Sequence, residues 1–376
     1  MHYLAILGRQ PEFGLVELES LLGAKAVRPF GRSAAVLTQG LDINRLGGSQ
    51  KLARVIYRGP ARDLNETPIP LDELPIPASG KITFGLSYYG AGFGQRFVVA
   101  AGLTLKKRLR AKGSVRFVQP QTGTSLTAAQ VKFNGLTRNG FELIVASCRG
   151  DMIVAVTEQI QDIDWYAVRD YQRPTRSAKV GMLPPKLAQI MVNTTAAPLV
   201  YDPFCGTGVV LQEALLLGRA AAGSDIAPDM TAATTDNLAW LRRQRPDLPP
   251  ASVTTADATS LTLPDEPLAI VSEGYLGPNL TKSPTAKELP ALKRDLGKLY
   301  ADSLRHWQPQ LPPSAEVSLT VPMWRSGSAW QGLDIVDRLP DLGYTLRSFA
   351  HADSSALAYH RPNQIVGRQL LILRKR

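Results

Sequence analysis

One stretch of the chain carries the densest chemistry: Asp202-Pro203-Phe204-Cys205-Gly206-Thr207-Gly208. An apolar lead-in, Ala197 to Val200, reads as a buried parallel strand, and Val209 to Leu217 reads as an apolar helix. A strand that ends in a glycine turn and opens a helix builds a ligand site at the carboxyl edge of an α/β sheet. Gly206 and Gly208 allow close backbone approach and φ values that other residues avoid. The helix amides then face the ligand. No third glycine follows at the dinucleotide spacing, and no Gly-Lys-Ser/Thr follows for a P-loop. Asp202, set before the glycines, suits a cationic or amine-bearing ligand better than a pyrophosphate. The competing account is a strand–turn–helix connection with no ligand.

The ordered segment resembles motif I of amino-methyltransferases that bind S-adenosylmethionine (SAM), in the form found where exocyclic amines of nucleic-acid bases are methylated. The resemblance implies SAM as cofactor, with Asp202 to Gly208 cradling its methionine moiety. Downstream, Gly218 to Ile226 reads as helix end, turn and short buried strand with an acid, Asp225, at its tip. An acid about 20 residues after the glycines is placed for ribose hydroxyls; Asp225 would equally serve as the N-cap of the next helix. Asp257 resembles the motif III acid that holds the adenine amino group, and a solvated turn residue is its alternative. Ile226 and Ala258 join these acids as expected cofactor contacts.

The catalytic loop departs from the pattern. Such enzymes usually carry Asp-Pro-Pro-Tyr at motif IV, where an acid and a backbone carbonyl accept the amine hydrogens and an aromatic ring stacks on the base. Here the apolar strand Ala269 to Val271 leads into Ser272-Glu273-Gly274-Tyr275. Tyr275 keeps the aromatic position. The acid position holds Ser272, which leaves three outcomes: Glu273 supplies the carboxylate from one residue later, Ser272 accepts a neutral hydrogen bond, or amino-methylation is lost. Carbon-5 pyrimidine methylation needs a cysteine nucleophile, and neither Cys148 nor Cys205 lies on this loop.

Behind these motifs stands a chain of 376 residues, enough for two or three domains. With 44% hydrophobic and 20% charged residues it reads as globular. No run of about 18 apolar residues marks a membrane span. The amino terminus lacks the pattern of a secretory signal. Two cysteines make no disulfide framework, so a reducing cytoplasm is expected. The four histidines are scattered, and no metal site is read. The net charge is +11, and residues 101–150 hold 9 basic residues against one acid, Glu142. That concentration points to a polyanion, with a merely solubilising surface as the alternative. The expected RNA contacts are Lys106, Lys107, Arg108, Arg110, Lys112, Arg116 and Lys132. Part of this cluster also complements the dipole of the helix predicted over Gln95 to Arg110.

Tyr3 to Leu7 reads as a strand, Phe13 to Leu22 as a helix, Asp42 to Gly47 as a short helix and Lys51 to Tyr57 as a strand. Proline-rich Gly59 to Ala78, with Pro68 inside it, reads as a linker. Strands over Lys81 to Tyr88 and Ser114 to Pro120 follow, then a hairpin from Gly140 to Thr157. This order resembles the THUMP-containing tRNA guanosine N2-methyltransferases. The residues that carry it are Tyr3 to Glu12, Leu126 to Gly135, Val156 to Asp162, Arg169 to Pro174, Met182 to Ala188 as the entry helix, and Tyr359 to Arg368. The resemblance implies a ferredoxin-like domain (1–66), a THUMP RNA-binding domain (67–165) and a Rossmann-like methyltransferase domain (171–376). It further implies tRNA as substrate, the N2 amine of a guanosine near the base of the D-arm as target, and a possible small activator subunit. A DNA amino-methyltransferase and a non-catalytic SAM-binding RNA protein are the alternatives.

Overall fold

Alternating and continuous apolar runs become strands where their second face also finds cover. A computed structural model describes the chain except residues 64–65, 67–68, 177–182, 328 and 363, and the side chain of Ala356. Pro68 of the expected linker, Met182 of the expected entry helix and Asn363 of the closing segment lie outside the described residues. The chain divides into two units, Met1–Trp165 and Tyr166–Arg376.

The first unit is α+β. Its elements are β1 (Tyr3–Leu7), α1 (Pro11–Leu22), β2 (Val27–Phe30), β3 (Ala34–Leu37), β4 (Ser49–Pro60), β5 (Ile82–Tyr89), α2 (Gln95–Leu109), β6 (Val115–Val118), α3 (Ala128–Phe133), β7 (Gly140–Cys148) and β8 (Asp151–Ile160). A further helix, α4 (Ile163–Tyr171), spans the division. Among the described residues the strands form one sheet in the order β2-β3-β1-β4-β8-β7-β5-β6. β4 overruns the expected start of the linker: Gly59 pairs Met152 and Pro60 pairs Asp151. Antiparallel pairing with β8 keeps both residues in the ladder despite their low strand propensity. The expected helix at 42–47 shrinks to a single 3-10 turn, Ile43–Arg45, capped by Asp42. α3 starts behind a capping box, in which the Thr127 hydroxyl accepts from the Gln130 amide and the Gln130 side chain accepts from the Thr127 amide.

The second unit is a doubly wound α/β domain. It contains α5 (Pro185–Asn193), β9 (Leu199–Asp202), α6 (Val209–Leu216), β10 (Ala220–Asp225), α7 (Pro228–Gln244), β11 (Ala251–Thr255), β12 (Leu268–Glu273), α8 (Leu289–Trp307), β13 (Glu316–Ser326), β14 (Ala329–Gly332), β15 (Tyr344–Leu346), β16 (Ala358–Tyr359) and β17 (Val366–Lys375). The sheet runs β11-β10-β9-β12-β13-β17-β15, with β17 antiparallel to β13. From β9 the chain winds outward to β10 and β11, then returns to add β12 on the other side. The sequence reversal therefore falls between β9 and β12, and a crevice opens there beyond the strand ends. On one face Tyr300 and Trp307 of α8 are buried against the sheet, and Phe204 of the glycine loop packs on both, 6.3 Å from each ring centroid.

Candidate active site

The glycine loop is held in shape by its own acid and by a neighbouring helix. Asp202 closes β9 and is 2% exposed. Its Oδ1 accepts from the Phe204 amide at 3.1 Å and from the Ser272 hydroxyl at 2.5 Å. Gly206 and Gly208 both take positive φ, 52° and 82°. A Cβ on Gly208 would meet the Thr234 methyl at 2.8 Å. α7 clamps the loop: Thr234 donates to the Gly206 carbonyl at 2.7 Å, and Asn237 donates to the Thr207 carbonyl at 2.9 Å.

Two further strand tips bring acids to the crevice. Asp225 Oδ2 accepts from the Gly206 amide at 3.0 Å, and its Oδ1 accepts from Ala227 at 3.0 Å. Asp225 thus latches the loop and shapes the turn into α7, while the helix cap itself is Ala227. Asp257 accepts from the amide and the hydroxyl of Thr259, both at 2.8 Å. Those bonds hold its carboxyl below the usual carboxylate range. Trp307 fixes the same turn by donating to the Ala258 carbonyl at 2.8 Å.

The third side of the crevice is the loop after β12. Ser272 is fully buried and donates to Asp202, so its hydroxyl faces inward rather than toward a bound base. Glu273 ends the strand and pairs with Arg368 of β17. Gly274 lies against Tyr300: an added Cβ would sit 2.3 Å from the phenol oxygen. That phenol donates to the Tyr275 carbonyl at 2.9 Å, and the Tyr275 ring is 47% exposed. No proline fits at position 274 in this form, because Tyr300 fills the space beside it.

All three sides open onto one cleft of about 1120 Å³. Asp202 to Thr207, Asp225, Ile226, Asp257, Ala258 and Glu273 to Tyr275 line it. Ser272 and Gly208 stand behind its wall. Burial pushes the Asp202 carboxyl up to about 8, against the opposing hydrogen bonds from Ser272 and Phe204. Burial also raises Glu273, and Arg368 opposes that rise. The Cys205 thiol is driven well above its ordinary range by burial, so it is no nucleophile at neutral pH. Among the described residues no cluster of His, Cys, Asp and Glu could hold a metal ion.

The cleft has the size and polarity for a nucleoside cofactor together with a second reactant. A cradle that a Cβ would narrow, acids at two strand tips, and an acid and an aromatic ring on the third loop fit SAM and a base. The chain can be aligned over its full length with the crystal structure of TrmN from Thermus thermophilus, at TM-score 0.54 and 17% identity, covering 100% of both chains. A possible methylase from Clostridium difficile 630 aligns at TM-score 0.50 and 12% identity, covering 100% of this chain and 97% of that one. The fold is that of SAM-dependent methyltransferases. No family model matches the chain. In sequence it is 38% identical over 100 residues to a tRNA (guanine(10)-N2)-dimethyltransferase of Methanothermobacter thermautotrophicus, covering 26% of this chain and 28% of the relative. It is 46% identical over 59 residues to the protein of that name from Pyrococcus abyssi, covering 15% and 18%. The chain thus matches less than a third of the length of these curated relatives.

Outside the methyltransferase-fold unit, the basic residues lie on the first unit. Lys107, Arg108, Arg110, Lys112, Arg116 and Lys132 are exposed and Lys106 is half-buried. Three are already engaged: Arg108 donates to the Ile69 carbonyl at 3.5 Å, Arg116 donates to Asn134 at 2.9 Å, and Lys132 pairs with Asp164 at 2.6 Å and Asp162 at 3.5 Å. Next to Lys132, Phe133 is 81% exposed at the end of α3. An exposed ring among cations is the arrangement on which unpaired bases stack. Sequence reasoning missed this ring, and it missed Thr234, Asn237, Tyr300 and Arg368. The one signal for the α7 pair was a run of four polar residues, Thr234 to Asn237, inside the helix.

Proposed function

We propose that the chain is a SAM-dependent methyltransferase acting on an exocyclic amine of RNA, with tRNA as substrate and guanine N2 as acceptor. The observation that carries this reading is the shared cleft, in which the glycine loop and the Glu273 to Tyr275 loop face one cavity. The named relatives supply the motive for tRNA and for guanine.

When bound, SAM supplies an electrophilic methyl group: the carbon–sulfur bond breaks with its pair left on sulfur as the nitrogen–carbon bond forms. The loop from Asp202 to Gly208 would hold the methionine end, Asp225 the ribose, and Asp257 with Ile226 and Ala258 the adenine. A carboxylate accepts up to about four hydrogen bonds, so Asp225 and Asp257 keep acceptor capacity beyond their turn contacts. Glu273 would accept an amine hydrogen, and the proton the new ammonium loses would pass to water. Tyr275 would stack on the base. Ser272 acts behind them, as a buried donor that fixes Asp202. In this reading the first unit comprises a ferredoxin-like part (1–66) and a THUMP part (67–165) that binds tRNA through the basic face. Residues 171–376 carry out transfer, in the cytoplasm, with or without a small activator protein.

The test is methyl transfer from labelled SAM to tRNA from a strain lacking the gene, followed by nucleoside analysis. Labelled N2-methylguanosine is the expected product. A second reading, binding without transfer, draws on the inward turn of Ser272. SAM binding with no labelled nucleoside, with or without a partner protein, would establish that alternative.

A further inference from the structure

The acid of the catalytic loop has a counter-cation that arrives from 95 positions further along the chain. β12 lies parallel to β13 with Glu273 opposite Thr320, and β17 lies antiparallel on the other side of β13 with Arg368 opposite Pro322. Three adjacent strands therefore bring the two side chains together at the rim of the cleft, which both line. Arg368 Nε donates to Glu273 Oε1, and the Arg368 side chain is 3% exposed against 14% for Glu273. Glu273 Oε2 has no hydrogen-bond partner among the described residues. The charged and titratable groups around Glu273 are Arg368 on β17, Asp202 at the end of β9 and Tyr300 on α8. Among the described residues Arg368 is the cation paired with it.

We propose that Arg368 is a positioning residue that keeps Glu273 an acceptor-only carboxylate, and that this pair selects guanine over adenine. The inference rests on the amino-methylation reading above. Guanine presents adjacent donors, N1–H and the N2 amine, to a carboxylate. Adenine places an acceptor, N1, beside its amine, and a carboxylate repels it. A site built on acceptors leaves one of them unpaired against the wrong base. A protonated Glu273 would carry an O–H donor and lose that distinction. The guanidinium opposes this and anchors Oε1 through a charge-assisted bond.

The test uses the full chain with tRNA, comparing wild type with Arg368→Lys, Arg368→Met and Glu273→Gln. Without the cation, Glu273 protonates at higher pH, so the acid limb of kcat/KM for Arg368→Met should move upward by about one pH unit or more. Its rate at pH 7 should fall at least tenfold and recover partly at pH 9, while SAM affinity stays near wild type. Arg368→Lys should restore most of the rate at pH 7. Glu273→Gln should lose guanine methylation at every pH. A wild-type pH profile in Arg368→Met, or an equal loss at all pH values that Lys does not rescue, overturns the proposal while leaving amino-methylation intact. A wild-type protein that binds SAM but methylates no RNA overturns both.

Discussion

Lys51 and Glu142 form an ion pair inside the amino-terminal sheet, with their side chains 1% and 0% exposed. Ser87 and Thr157 donate to the two carboxylate oxygens at 2.6 Å each, and the Lys51 ammonium also reaches the Leu126 carbonyl at 2.7 Å. Glu142 is the one acid among the nine cations of residues 101–150. With that acid sequestered, the segment presents no negative side chain to solvent.

The exposed cations there should set the salt dependence of RNA binding. Replacing Lys107, Arg108, Arg110 and Lys112 together by Ala should flatten the log K against log salt slope by about 0.7–0.9 for each phosphate contact removed. Lys132→Ala should change it less, because Asp162 and Asp164 already neutralise that ammonium. Filter binding to tRNA between 50 and 200 mM salt, as rough bounds, checks both. Equal effects at Lys132 and Lys107 would contradict the assignment.

Asp202 should make stability fall as pH rises. Its folded value of about 8 lies above the unfolded one, so the folded state holds the proton more tightly. This contribution is complete below about pH 4, shrinks as pH rises and is lost above pH 8. Asp202→Asn cannot ionise yet can accept from Ser272 and Phe204. Its Tm relative to wild type should therefore climb from pH 4 to pH 8 and then level off. SAM affinity should part from wild type above pH 8, where wild-type Asp202 is ionised: there the variant, lacking the negative charge beside a cationic ligand, should bind about tenfold or more weakly. Thermal shift across pH, with calorimetric SAM binding, decides it.

Gly274 and Gly297 give a matched pair. Ala at 274 places a carbon 2.3 Å from the Tyr300 oxygen, whereas Ala at 297 on α8 meets nothing within 4 Å. Gly274→Ala should destabilise by about 1–3 kcal/mol and raise the KM for RNA, since the bond from Tyr300 to the Tyr275 carbonyl must shift. Gly297→Ala should stabilise by roughly 0.5–1 kcal/mol. Urea titrations of the two variants test the contrast.

Asn237 binds both the Thr207 carbonyl and the backbone of Thr175, each at 2.9 Å. Asn237→Ala leaves those groups unpaired at a buried position, at a cost of about 1–3 kcal/mol. The glycine loop loses its clamp, so SAM affinity should drop several-fold even though Asn237 lines no part of the cleft. Unchanged SAM affinity in a folded variant would show that the loop holds its shape alone.

The glycine loop and the acids at 225 and 257 were legible from sequence because their geometry is local: strand, turn and helix follow within a few residues. The residues that complete the site were not legible for the opposite reason. Thr234 and Asn237 act from the far side of α7, Tyr300 from a helix 25 residues beyond the loop it pins, and Arg368 from the last strand. Ser272 shows a subtler limit. Its position in the motif was readable, but whether its hydroxyl faces the cleft or Asp202 depends on the strand pairing between β9 and β12. The overrun of β4 was hidden likewise, since Gly59 and Pro60 look like a linker until β8 is laid beside them.

That pairing has a consequence for how the chain is made and cut. β4 leaves the ribosome roughly a hundred residues before β8, which must lie along its whole length from Lys51 to Pro60. Until then its outer edge is a row of unmatched amides and carbonyls, available to any passing strand. A fragment stopping near residue 66 would carry that bare edge permanently. It should self-associate, whereas a fragment ending after β8 should remain monomeric.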